Sequence, residues 1–151
     1  MIGVKRVKEF SDELAAGIGQ LMPALSGKMT EEPISKQVIE NITKSDYHQL
    51  FVAYDDDKIV GTSVLSLVMG IDKNFVNGPN AYLESFVVDA SIQGKGIGSK
   101  IWDEMLIWCN EKNVNKMEFT SNKKRLSAHA FYAKKGAEIY ETCFFQLPIS
   151  K

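Results

Sequence analysis

Ile2, Val4 and Arg6 alternate with Gly3, Lys5 and Val7, a period near two that predicts a short opening strand over 2–7. The period then lengthens. Leu14, Ile18, Leu21 and Met22 share one helical stripe behind Ser11 and Asp12, whose oxygens suit an N-cap. Gly17 and Gly19 each cost a helix about 1 kcal/mol relative to alanine. This helix is therefore expected to be short or mobile, and Pro23 to end it. Ile34, Val38, Ile39 and Ile42 recur at helical spacing after Pro33 and predict a second helix stopping near Lys44.

Two β-rich runs, 50–54 and 58–69, flank the acidic residues Asp55, Asp56 and Asp57 and read as a hairpin. Residues 70–80 read as a loop, and 82–89 as a strand apolar enough for the middle of a sheet. The best helical pattern covers 98–112, with Ile101, Met105, Trp108 and Cys109 on one face and Trp102 and Leu106 widening it. A strand over 116–121, a helix over 126–135 with Gly136 as C-cap, and a last strand over 141–149 complete the chain. The order predicts one α/β domain over 1–151, a mixed sheet flanked by helices.

Composition narrows the function classes. The chain has 151 residues, 44% of them hydrophobic and 25% charged, which suits a globular domain. Eighteen basic against 19 acidic residues give a formal charge of −1, against a general nucleic-acid binder or a basic membrane-surface protein. Cys109 and Cys143 have no metal-ligand spacing and read as reduced thiols packed as small hydrophobes; no metal site is expected. The first ten residues carry Lys5, Arg6, Lys8 and Glu9 with no apolar core, so a cytoplasmic location is the expectation.

The chemistry concentrates in Gln93-Gly94-Lys95-Gly96-Ile97-Gly98, between a strand and a helix. Alternating glycines there let backbone N–H groups converge at a helix N-terminus, which favours a phosphate or diphosphate. Lys95 and Lys100 add positive charge nearby. Ser99 stands where a dinucleotide fingerprint needs its third glycine, and the spacing of a P-loop fails as well. On spacing alone, a turn that merely admits the chain into a helix stays open.

Gln93, Gly96 and Gly98, behind Phe86 and Val88, form a Q-x-x-G-x-G run that resembles the acetyl-CoA-binding motif of the GNAT superfamily of N-acetyltransferases. Thr120-Ser121-Asn122, then Ala128 to Tyr132 and Lys134 to Ala137, resemble that family's second signature, so the likeness covers nearly the whole chain. Gln93 stands where arginine is common and Ala137 where an aromatic is usual; neither change removes a backbone donor.

The resemblance implies a mostly antiparallel sheet with splayed middle strands, and acetyl-CoA as acyl donor between them. It places the pantetheine amides against backbone at Phe86 and Val88, and a polarising N–H near Val87 or Val88. The diphosphate would rest on Gly94, Lys95, Gly96, Ile97, Gly98 and Ser99. Tyr132 is the candidate acid, because a phenol with pKa about 10 keeps its proton at neutral pH; packing beside Phe131 is its structural alternative. Asn122 is a cofactor or substrate contact, or an ordinary turn residue. Glu84 is the candidate base, since a carboxylate in an apolar strand is costly unless used or paired. Strict alternation puts Glu84, Phe86 and Val88 on one face. His129 and His48 are read as packing and solvated residues.

The implied activity is transfer of an acetyl group from acetyl-CoA to a primary amine of a small molecule or peptide, by direct transfer in a ternary complex. A non-catalytic acyl-CoA-binding or sensing module is the rival, and an ATP-binding domain a weaker one. Segments 22–35, with Glu31 and Glu32, and 70–80, with Asp72 and Lys73, are the implied walls of the acceptor site. The acceptor stays open. An exposed last strand over 143–149 would offer an edge for a homodimer.

Overall fold

The computed structural model describes residues 1–27 and 32–150. Its residues group into two compact units, Met1–Phe119 and Thr120–Lys151.

The first unit is a five-stranded sheet in the order β1-β2-β3-β4-β5. The strands are β1 (Ile2–Val7), β2 (His48–Asp55), β3 (Lys58–Val68), β4 (Asn80–Val88) and β5 (Met117–Glu118). Pairing is antiparallel from β1 through β4, and β5 lies parallel to β4. The expected strand over 116–121 shrinks to those two residues. Helix α1 (Asp12–Ser26) and helix α2 (Lys36–Thr43) contribute Leu14, Ile18, Leu21 and Ile39 to a cluster with Leu50, Val52 and Val87. Helix α3 (Ile97–Glu111) buries Ile101, Met105 and Trp108. Ser63 donates to Met105 Sδ at 3.2 Å, and the Trp108 ring meets Phe51 edge-on at 6.3 Å. Trp102 and Trp108 are core residues, as their pattern predicts.

Helix α1 corrects one expectation. It runs unbroken past Pro23 for 15 residues, capped by Ser11 Oγ on the Leu14 amide and ended by Gly27 at φ +70°. Its glycines are there for clearance. A Cβ on Gly17 would approach Ile59 Cδ1 to 2.6 Å, and one on Gly19 would strike the Glu32 carbonyl. The helix thus trades propensity for close packing of its buried face. Gly19→Ala is expected to destabilise the fold by about 1–3 kcal/mol, the cost of overpacking against backbone that cannot retreat. A urea denaturation midpoint measures it, and an unchanged midpoint would contradict the contact.

In the second unit, α4 (Leu126–Lys134) follows a turn, and Gly136 at φ +88° takes the left-handed conformation expected of a C-cap. The predicted last strand is absent: no residue from 137 to 150 is in a strand. A strand forms only with a ladder partner for its N–H and C=O groups. The apolar alternation is present there without one. The two thiols also part company. Cys109 is buried, which pushes its thiol up to about 11, whereas Cys143 is exposed and not packed as expected.

Candidate functional site

Strand β4 carries an irregularity that alternation along the sequence cannot reveal. Thr62 pairs with Val87 but Val64 pairs with Glu84, so Ser63 alone opposes both Ser85 and Phe86. Ser85 absorbs the extra residue at φ +53°, a left-handed conformation unusual for a side-chain-bearing residue. The bulge flips the side-chain parity. Glu84, paired with Val64, lies on the α1–α2 face with Val87, while Phe86 meets the Trp102 ring of α3 at 6.1 Å. Glu84 and Phe86 therefore lie on opposite faces, correcting the expected shared one.

The two middle strands separate soon after they meet. β4 and β5 pair only at Ala81 with Met117 and at Tyr82 with Glu118. From Leu83 to Val88, β4 has β3 on one side and no strand on the other among the described residues. That leaves outward-pointing backbone groups able to receive an extended, amide-bearing ligand as an added strand. Phe86, Val87 and Val88 all lie on this open stretch.

The glycine-rich loop follows directly. Asp89 anchors its entry: Oδ2 accepts from Lys58 Nζ at 2.9 Å, and Oδ1 accepts from the Ser91 amide at 2.9 Å and hydroxyl at 2.7 Å. These hold its carboxyl down at about 2, led by the Lys58 and Ser91 hydrogen bonds. A depressed folded-state pKa contributes stability above the unfolded value, lost as pH falls from about 4 towards 2. Asp89→Asn should flatten that part of a plot of denaturation midpoint against pH; an identical slope would contradict the anchoring role.

Gln93 Nε2 reaches back to the Val88 carbonyl at 3.3 Å, joining loop to strand. Gly94 and Gly96 adopt φ +84° and +79°. A Cβ at either would meet nothing within 4 Å, so the space over the loop is open. Gly96 is the N-cap of α3 and offers no side-chain acceptor. The first-turn amides of Ile97, Gly98 and Ser99 thus lack intrahelical acceptors and sit at the positive end of the helix dipole. Lys95 is exposed, and Lys100 Nζ donates to the Ile2 carbonyl at 3.1 Å. The stretch of β4 beyond its pairing with β5, an open loop and an uncapped helix start occur consecutively in sequence. They fit a long ligand with an anionic end and an amide-bearing arm.

The candidate proton-transfer residues divide differently. Glu84 is exposed, so the desolvation argument for it fails, and no ion pair among the described residues involves it. In the second unit, Tyr132 packs edge-on against Phe131 at 5.8 Å. Burial pushes its phenol above the ordinary value, with Arg125 pulling partly back. Asn122 Oδ1 accepts from the Lys124 amide at 2.9 Å, so its carbonyl is committed to a local turn. His129 lies on α4, and His48 begins β2 with Nδ1 2.8 Å from Ser45 Oγ rather than sitting in a loop. Of the implied acceptor walls, Glu31 lies outside the described residues, and Asp72 accepts from the Asn74 amide at 2.8 Å. Alternation along the sequence missed Ser85, whose positive φ creates the bulge, and Asp89; the Asp-x-Ser spacing before the loop was the available signal for the latter.

No helix among the described residues is long and apolar enough to cross a membrane, and no metal-binding group of side chains occurs among them. No curated protein matches the sequence. Solved structures do resemble the chain. An aminoglycoside acetyltransferase from an uncultured soil metagenomic sample, in complex with sisomicin, has a TM-score of 0.81 at 19% identity, over 98% of this chain and 97% of that one. Glucosamine-6-phosphate N-acetyltransferase from Arabidopsis thaliana gives 0.77 at 20%, over 97% and 98%. A putative acetyltransferase from Agrobacterium tumefaciens str. C58 gives 0.80 at 19%, over 97% and 99%. Fold, splayed strands and glycine loop agree with the match of residues 20–137 to the Acetyltransferase (GNAT) family, and the chain belongs to that family of acetyltransferases.

Proposed function

We propose that this acetyltransferase moves the acetyl group of acetyl-CoA onto a primary amine of a small molecule or peptide, by direct transfer within a ternary complex. The observation that carries the reading is the uncapped start of α3 behind Gly94 and Gly96, next to the stretch of β4 beyond its pairing with β5.

Acetyl-CoA supplies an activated acetyl thioester. Amides from Gly94 to Ser99 bind its diphosphate, with Lys95 adding charge and Gln93 tying the loop to β4. Phe86 and Val88 backbone groups align the pantetheine arm, and an N–H near Val87 or Val88 polarises the thioester carbonyl. Two protons must also move. The acceptor ammonium must lose one before its nitrogen can attack, and the departing sulfur gains from receiving one. Glu84 takes the first, directly or through water. Its exposure supports a solvent-connected base rather than a desolvated one. Tyr132 supplies the second, and burial keeps its phenol protonated through neutral pH. Asn122 retains its amide nitrogen as a donor to ligand.

The acceptor class is drawn from similar solved structures. Two neighbours carry amino-sugar substrates in their names, an aminoglycoside and glucosamine-6-phosphate, which puts amino sugars first on a panel with polyamines, amino acids and peptide N-termini. The test is thiol release from acetyl-CoA with each amine, with the acetylated product identified by mass. Turnover on at least one amine supports the reading. Tight CoA binding without turnover on any amine would favour the sensing module instead.

A further inference from the structure

Strand β4 places Asn80, Tyr82 and Glu84 on the α1–α2 face of the sheet, since Glu84 pairs with Val64, which packs on the cluster of those helices. Glu118 joins them from β5. It pairs with Tyr82, while its neighbour Phe119 turns the other way to meet the Trp102 ring of α3 at 6.0 Å. Across the sheet, Tyr82 is followed by Ser66 and His48, and the next row holds Glu84, Val64 and Leu50. These two rows carry two carboxylates and no lysine or arginine.

Glu118 is the last residue of β5, where the middle strands part, and Glu84 stands two residues beyond that point on β4. A strand spacing of about 4.8 Å and a rise of about 3.3 Å per residue set their α-carbons about 8 Å apart. Both side chains are exposed. Among the described residues, the one cation paired with either is Lys116, whose Nζ lies 3.8 Å from Glu118 Oε2. So long and exposed a contact contributes little and yields easily to a ligand.

Asn80 distinguishes this place from a solvated pair of charges. It is 3% exposed, and its Nδ2 donates to Glu118 Oε1 at 3.3 Å. Its Oδ1 is buried with no hydrogen-bond partner among the described residues. A buried acceptor without a donor is costly, and native structures keep few of them. Here the amide is committed to holding Glu118, and its carbonyl has lone pairs to spare beside that carboxylate. A primary ammonium carries three donors and no acceptor, so it suits a carboxylate and a carbonyl together.

We infer that Glu118 and Asn80 anchor a second ammonium of the acceptor, which makes the acceptor class an amine with at least two ammonium groups a few carbon atoms apart. The other amino group reacts beside Glu84. The reacting end rests on the acetyl-transfer reading, whereas the anchor needs only the carboxylate and its buried amide. An amine with one nitrogen gains nothing from Glu118, and an acceptor bearing a phosphate is repelled by both carboxylates.

Isothermal titration of the full chain with 1,4-diaminobutane and with 1-aminobutane tests the anchor, and each amine then serves as acceptor in a thiol-release assay with acetyl-CoA. The diamine should bind on the order of tenfold more tightly, with a KM lower by a similar factor. Glu118→Gln keeps the shape of the side chain and an acceptor for Asn80, and should bring the two affinities together in a chain whose circular dichroism is retained. Asp57→Asn removes the same charge at the far end of the hairpin and should preserve the difference. Equal affinities in the wild type, no heat from either amine, or a preference that survives Glu118→Gln overturns the inference. So does a preference that Asp57→Asn abolishes equally, which would be general attraction of a dication. Diamine binding that needs Glu118 but gives no thiol release leaves the anchor standing and overturns acetyl transfer instead. Turnover indifferent to the second ammonium overturns the anchor and leaves acetyl transfer standing.

Discussion

Tyr132→Phe should lower kcat by about 10²-fold or more while the KM for acetyl-CoA changes little. A positioned general acid contributes roughly 10²–10⁴-fold, and phenylalanine deletes the proton while keeping the ring. The Tyr132 ring packs edge-on against Phe131, a contact the variant retains, and kcat is read per folded molecule alongside the melting temperature. That pairing of outcomes separates chemistry from packing: a purely structural Tyr132 would lower stability and leave kcat per folded molecule intact. The pH profile adds a further check. A donor must be protonated, and burial raises this phenol above its usual value of 10. Its own titration should therefore curtail the wild-type rate only above pH 10, and the variant should lack that alkaline limb. Full activity in Tyr132→Phe would remove the residue from the reaction.

Gly96→Asp should raise the KM and Kd for acetyl-CoA on the order of 100-fold with little loss of stability. Gly96 is the N-cap of α3 at φ +79° and provides no side-chain acceptor. Aspartate tolerates that conformation better than most residues, and a carboxylate at a helix N-terminus is stabilising. It would compete for the amides that a diphosphate needs and repel the incoming charge. Hydrogen bonds to charged groups are worth about 1.5–3 kcal/mol each, so losing one or two accounts for a factor of this size. Gly96→Ala is the control. Its Cβ meets nothing within 4 Å, so only the backbone penalty of about 1–2 kcal/mol applies, and binding should fall far less. Equal effects from the two substitutions would mean that backbone shape, not amide competition, controls the site; no effect from Asp would remove the loop from cofactor binding.

Local pattern determined much of this protein without help from any tertiary contact. The alternation in 2–7, the hairpin around Asp55 to Asp57 and the long helix behind Gly96 are all encoded by neighbours a few residues apart, and each appears within a residue or two of its expected limits. The glycine loop was legible for the same reason: backbone freedom at Gly94 and Gly96, followed by a helix start, is a local property. What local pattern could not supply was anything needing a distant partner. Helix α1 continues through Pro23, and its glycines cost less than their propensity suggests, because Ile59 and the Glu32 carbonyl need that clearance. The side-chain parity of β4 reverses at Ser85 because Ser63, some twenty residues earlier, faces two residues at once. Glu84 consequently lies on the face opposite Phe86, which periodicity alone assigns wrongly. The segment over 141–149 has the composition of a strand but no ladder to join within its chain, and propensity without a hydrogen-bonding partner leaves it exposed and outside any strand. Spacing set the elements and the glycine-rich loop; packing and pairing across the sheet decided which way the side chains of β4 point.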